Sequence, residues 1–97
     1  MKKVILFTIQ GCAPCEELKP MFKKTTKEKG WTGEIYDLTK ADIEIKKMAH
    51  TFDITIFPTI LIFNGDKVDK LEPPIKKEKL EGMLKWEWQD ESYRETH

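Results

Sequence analysis

The run Val4-Ile5-Leu6-Phe7-Thr8-Ile9 shows no polar alternation, and it delivers the chain straight into Gly11-Cys12-Ala13-Pro14-Cys15. A strand this apolar has to be covered on both faces. The stretch that follows, Glu16 to Lys29, has helical spacing. Cys15, Leu18 and Phe22 share one face at i, i+3 and i+7, with Met21 beside them. A strand that feeds a C-x-x-C into a helix N-terminus is a device for making a reactive thiolate. The free N–H groups and positive dipole end of the helix stabilise a sulfur anion placed there. The thiolate is the form that attacks disulfides.

The remaining elements follow from similar local signals. The first strand is read as about Lys3 to Ile9 and the first helix as about Ala13 to Lys29. Pro20 falls inside that helix, where it removes a backbone donor and favours a kink. Gly30 ends it. A second strand covers about Glu34 to Leu38. Thr39 is expected to cap a second helix, with Asp42 in its first turn and a core stripe of Ile45, Met48, Ala49 and Phe52. Residues 53–57 then loop into Pro58. The third strand, Thr59 to Phe63, is again almost wholly apolar, and Asn64-Gly65-Asp66 turns it into a fourth, Lys67 to Leu71. Pro73-Pro74 breaks the chain. A last helix, about Lys76 to Gln89, puts Leu80, Met83, Leu84 and Trp88 on one face, with Trp86 off it. About 90–97 reads as a frayed polar tail.

This order, β-α-β-α-β-β-α, makes the fold class α/β with a four-stranded mixed sheet. The first two strands run parallel around a crossover helix and the last two form a hairpin. Helices on both faces account for the unalternating strands. No linker, repeat or low-complexity tract interrupts the 97 residues, so a single domain, 1–97, is expected.

Charge and composition remove several function classes. Lys and Arg number 17, as do Asp and Glu, so the balance favours neither nucleic acid nor an anionic membrane as partner. No stretch approaches the roughly 18 apolar residues of a membrane span. Met1-Lys2-Lys3 precedes an apolar run too short for a secretory signal. A cytoplasmic, reducing location is therefore expected. There, a close cysteine pair is more often catalytic or metal-binding than a structural staple.

The two cysteines divide the labour of thiol exchange. Cys12, at the helix start, is the accessible nucleophile. Cys15, one turn in and on the core face, is the resolving thiol. Their spacing lets the sulfurs reach bonding distance without unwinding the backbone. Pro14 has no N–H to lose and suits the first turn. Half of a zinc site is the competing reading, and it needs two further ligands. His50 falls off the apolar stripe of the second helix and His97 is the last residue, so no metal is expected. Cysteines with no chemical role are the plainest alternative.

The pattern as a whole resembles the thioredoxin family. The resemblance rests on Gly11-Cys12-Ala13-Pro14-Cys15, on Pro20 five residues later, on Phe57-Pro58-Thr59 and on the run from Ile60 to Gly65. It extends from Val4 to about Trp88. A C-x-x-C near a βαβ pattern is itself a thioredoxin-like signal. The resemblance implies a minimal thioredoxin fold and a redox-active Cys12–Cys15 disulfide with no bound cofactor. It implies a cis Pro58 packed beside the cysteines and a Phe57 backbone that pairs with substrate as an added strand. Substrate contacts are expected from Gly11, Ala13, Pro14, Phe57, Pro58 and Pro73.

The chain also departs from that family. Gly11 replaces the usual aromatic residue before the first cysteine. The acid usually buried beneath the second cysteine falls on Leu6, and a glycine of the substrate groove falls on Pro73. Only 11 residues precede Cys12, a short layout closer to glutaredoxins, although no aromatic residue lies between the cysteines. Glu16 and Glu17 oppose a nearby thiolate but favour the helix N-terminus.

The expected function is a thiol–disulfide oxidoreductase that reduces protein or small-molecule disulfides as a monomer. A thioredoxin reductase or glutathione would supply its electrons. A glutathione-fed, glutaredoxin-like enzyme is the nearest alternative. A non-catalytic binding module, docking a protein on Gly11, Phe57 and Pro73-Pro74, is the alternative from another class.

Overall fold

The first strand supplies two cores at once, one from each of its faces. In the computed structural model, which describes residues 2–84, the chain forms β1 (Lys2–Thr8), α1 (Ala13–Lys29), β2 (Thr32–Asp37), α2 (Ile43–Thr51), β3 (Thr59–Asn64), β4 (Lys67–Leu71) and α3 (Lys77–Met83). Val4 and Leu6 point to one side and Ile5 and Phe7 to the other, none more than 1 % exposed. Val4 and Leu6 meet Leu18 and Phe22 of α1, Ile60 and Ile62 of β3, and Leu80 and Leu84 from the α3 region. Ile5 and Phe7 meet Leu61 of β3 and Ala49 of α2, with Ile45, Met48 and Phe52 packed around them. Helices α1 and α3 thus cover one face and α2 the other, which is why neither β1 nor β3 alternates.

The strand order is β2-β1-β3-β4. β1 lies parallel to β2 and antiparallel to β3, and β3 is antiparallel to β4. Phe7 sits opposite Thr59, and Ile60 opposite Leu71. This register gathers three segments at one end of the sheet: the loop after β1 that holds the cysteines, the residues entering β3, and the Pro73-Pro74 segment after β4.

Helix α1 has the bounds its punctuation predicts. Gly30 takes a left-handed conformation (φ 75°), its N–H donates to Lys27 O, and the Trp31 N–H donates to Thr26 O. This double closure lets the chain turn back and bury Trp31 in the α1 face of the core. The hairpin pairs Asn64 with Lys67 across a two-residue turn. Gly65 has φ 63° at its first central position, the conformation of a type II′ turn.

Several boundaries differ from the sequence reading. β1 stops at Thr8 and leaves Ile9 exposed. The Thr8 carbonyl accepts from Leu38 N–H, and the chain then swings out of the sheet. β2 begins at Thr32 and stops at Asp37, whose carboxylate accepts from Thr39 N–H at 2.8 Å and closes a turn. Asp42, not Thr39, caps α2, its Oδ1 accepting from Ile45 N–H at 3.1 Å. Thr39 is engaged elsewhere: its hydroxyl accepts from Gln10 N–H at 3.0 Å. α3 ends at Met83 rather than Gln89, and Leu84 is extended (φ −95°, ψ 91°) yet fully buried. Trp86, Trp88, His97 and the polar tail lie outside the described residues.

One close approach fixes α1 against β2. A Cβ at Gly33 would come within 2.8 Å of Thr26 Oγ1 and 3.2 Å of Thr26 Cβ. Thr26 cannot yield easily, because it is buried and its hydroxyl donates to Lys23 O. Gly33→Ala is therefore expected to cost about 1–3 kcal/mol. The check is the midpoint of urea unfolding, with an unchanged midpoint counting against this packing.

Candidate active site

Cys12 occupies the N-cap of α1, extended at φ −100° and ψ 100°. Its sulfur accepts from the Cys15 N–H at 3.2 Å, and its carbonyl accepts from Glu16 N–H at 3.2 Å. A capping hydroxyl or carboxylate ordinarily fills that position. Here a sulfur does, so one free N–H of the first turn already points at the atom that would carry charge as a thiolate. Pro14 lies within this turn, where the missing N–H is no loss.

Cys12 and Cys15 form a disulfide with their Cα atoms 5.2 Å apart, within the ordinary range for such bonds. Cys12 is half-exposed and Cys15 fully buried. A partner sulfur therefore reaches Cys12 and not Cys15. Gly11, exposed and left-handed at φ 78°, lets the chain turn from β1 into the helix.

The other expected contact residues separate into two groups. Pro14, Pro58 and Pro73 line one groove of about 350 Å³ beside the disulfide, and Pro74 and Ile75 continue its wall. The Phe57–Pro58 and Pro73–Pro74 peptide bonds are both cis. Gly11 and Ala13 are exposed next to the cysteines but do not line this groove. The Phe57 side chain packs into the α2-side core.

Four groove residues escaped the sequence reading in this role, Ile75 after the proline pair and three on α1. Glu17, Leu18 and Met21 join Pro14 as the α1 wall of the groove. Their signal was available, since 14, 17, 18 and 21 lie at i, i+3, i+4 and i+7, beside the core stripe. What the sequence lacked was the opposite wall. The two glutamates after Cys15 also part company. Glu16 is held by Lys19 at 2.7 Å, whereas Glu17 turns toward the groove.

The surrounding electrostatics are quiet. Leu6 is fully buried among apolar side chains. On β2, Glu34 accepts from the Tyr36 hydroxyl at 2.7 Å and pairs with Lys3 at 3.3 Å. The Tyr36 bond, aided by Lys3, holds the Glu34 carboxyl below its usual range, and the same bond raises the Tyr36 phenol. Among the described residues no group of three His, Cys, Asp or Glu side chains converges as a metal would need. His50 is exposed on α2. No helix of the described residues is long and apolar enough to cross a membrane.

Known proteins resemble this chain in sequence and in fold. The family model described as Thioredoxin matches residues 1–86. A thioredoxin of Mycoplasmoides gallisepticum is 31 % identical over 87 residues, covering 87 % of this chain and 83 % of that protein. Among solved structures, the oxidised thioredoxin O2 of Arabidopsis thaliana superposes with a TM-score of 0.73 at 16 % identity, covering 87 % of this chain and 72 % of its own. The thioredoxin of Fasciola hepatica reaches 0.72 at 21 % identity, covering 86 % of this chain and 77 % of its own. At these identities the structural likeness speaks for the fold alone.

Proposed function

The chain belongs to the thioredoxin family, and from that premise we propose that it reduces disulfides by cycling Cys12 and Cys15 between dithiol and disulfide. The observation that carries this reading is the asymmetry of the pair. One cysteine is partly exposed and its sulfur accepts from a helix N–H, and its partner is a buried cysteine bonded to it.

The Cys12 thiolate attacks one sulfur of a substrate disulfide, and the other substrate sulfur departs as a thiolate. The Cys15 thiolate then attacks Cys12 Sγ in the mixed disulfide, and the second substrate sulfur leaves. Two electrons pass from the protein to the substrate, the two released thiolates take up protons, and the protein is left with the bond seen here. Substrate would approach along the Pro14, Pro58 and Pro73 groove, with Gly11 and Ala13 at its mouth and the Phe57 backbone beside it. No resident cofactor enters this cycle. A thiol donor must return the two electrons, either the dithiol of a reductase or two molecules of glutathione that leave as glutathione disulfide. A cytoplasmic monomer acting on protein disulfides suits the composition best.

Equilibration against glutathione redox buffers tests this directly. The expected result is a reversible two-electron couple at about −200 to −270 mV. A value near −120 mV would make the protein an oxidant. If no internal disulfide forms at any poise, the oxidoreductase reading fails and the binding-module reading replaces it.

A further inference from the structure

We infer that Glu17 selects, among disulfide substrates, those with a Lys or Arg flanking the attacked cysteine. The inference rests on the disulfide-reductase reading and narrows it to a substrate class. The groove beside the disulfide is walled by proline rings and by Leu18, Met21 and Ile75. Glu17 is the one ionisable side chain among its lining residues, and it is exposed. A pocket that is apolar except for a single carboxylate complements a side chain that is apolar except for a single cation. Lys and Arg have that form, laying a methylene stem on apolar surface and presenting the charge at the tip.

The neighbouring charges do not cancel Glu17. Glu16 is paired with Lys19 at 2.7 Å. Glu72, just before the proline pair, lies 3.8 Å from Lys70, and Lys70 also donates to Phe52 O and Asp53 O. Lys76 follows Ile75 but does not line the groove. The position of Glu17 fixes where the cation must sit. The residue shares the groove wall with Pro14, which lies between the two cysteines, and with Pro58 opposite. The basic residue is therefore close in sequence to the cysteine that joins Cys12.

Three cystine peptides, identical except for Lys, Gln or Glu beside the attacked cysteine, test this with dithiothreitol as reductant. The readout is the ratio of kcat/KM between peptides on one enzyme, which cancels any effect of Glu17 on the reactivity of Cys12 itself. The wild-type protein is expected to prefer Lys over Gln by about threefold and Lys over Glu by about tenfold, as exposed charges at low salt allow. High salt should shrink both ratios. Glu17→Gln should bring them near one, and Glu17→Lys should invert them. Glu16→Gln, in which the residue lost faces Lys19 and not the groove, should keep the wild-type preference. A flat ratio in the wild type, or equal loss in Glu16→Gln and Glu17→Gln, overturns the inference alone. Absence of turnover on all three peptides overturns the oxidoreductase reading and this inference with it.

Discussion

Cys12→Ser is expected to lower disulfide-peptide turnover by about a thousandfold or more, because a serine hydroxyl at that cap is a far weaker nucleophile toward sulfur than a thiolate. Cys15→Ser should behave differently. The first attack needs only Cys12, so the variant should form a mixed disulfide and stall there. Mass spectrometry would show the protein heavier by one peptide half, released by dithiothreitol. Cys15 is buried one turn from Cys12, so in the wild type it stands ready to attack Cys12 Sγ before an external thiol arrives. Glutathione sharpens the comparison. If Cys15→Ser keeps turning over with glutathione as donor, the external thiol resolves the intermediate at Cys12 and the glutaredoxin-like alternative gains. If turnover collapses in both variants, Cys15 is the resolving group. Full activity in Cys12→Ser would remove the proposed mechanism.

The contrast between what the sequence made legible and what it hid follows from the range of the forces involved. β1 and β3 were readable because each carries an unbroken run of side chains that prove buried, five in β1 and four in β3, as a strand covered on both sides requires. α1 was readable to the residue because a proline within its first turn and Gly30 at its end act on backbone geometry one residue at a time. The cap of α2 was misread for the opposite reason. Thr39 and Asp42 have equal local claims, and the choice is made by Gln10, 29 residues upstream, whose N–H takes the Thr39 hydroxyl. The groove was hidden more deeply. Its walls come from α1, the entry to β3 and the segment after β4, which meet only through the sheet register. Glu17 looked like a helix-start charge until that register placed Pro58 and Pro73 across from it.

Leu6→Asp is expected to give the largest stability change, and one with a distinctive pH dependence. Leu6 is fully buried between α1 and α3. It also stands where the family resemblance calls for an acid, so the substitution asks whether this core accepts one. Near pH 4 the carboxyl is neutral when folded, and the cost is lost packing plus a buried polar group, about 3 kcal/mol. Burial raises the folded pKa above the unfolded value of about 3.9. Between those two values the folded state binds the extra proton, so stability falls as pH rises, by about 1.4 kcal/mol per unit. Against a total of roughly 5–15 kcal/mol for a domain of this kind, the variant should be folded near pH 4 and markedly less stable near pH 7. Leu6→Asn has nearly the same shape and no titrating proton, so its penalty should not acquire this slope. Urea unfolding of both variants and the wild type at the two pH values isolates the proton. Parallel pH profiles for Asp and Asn would mean that water reaches this position. A diverging pair would show that the core beneath the cysteines is dry, leaving the α1 N-terminus as the main support for a thiolate at Cys12.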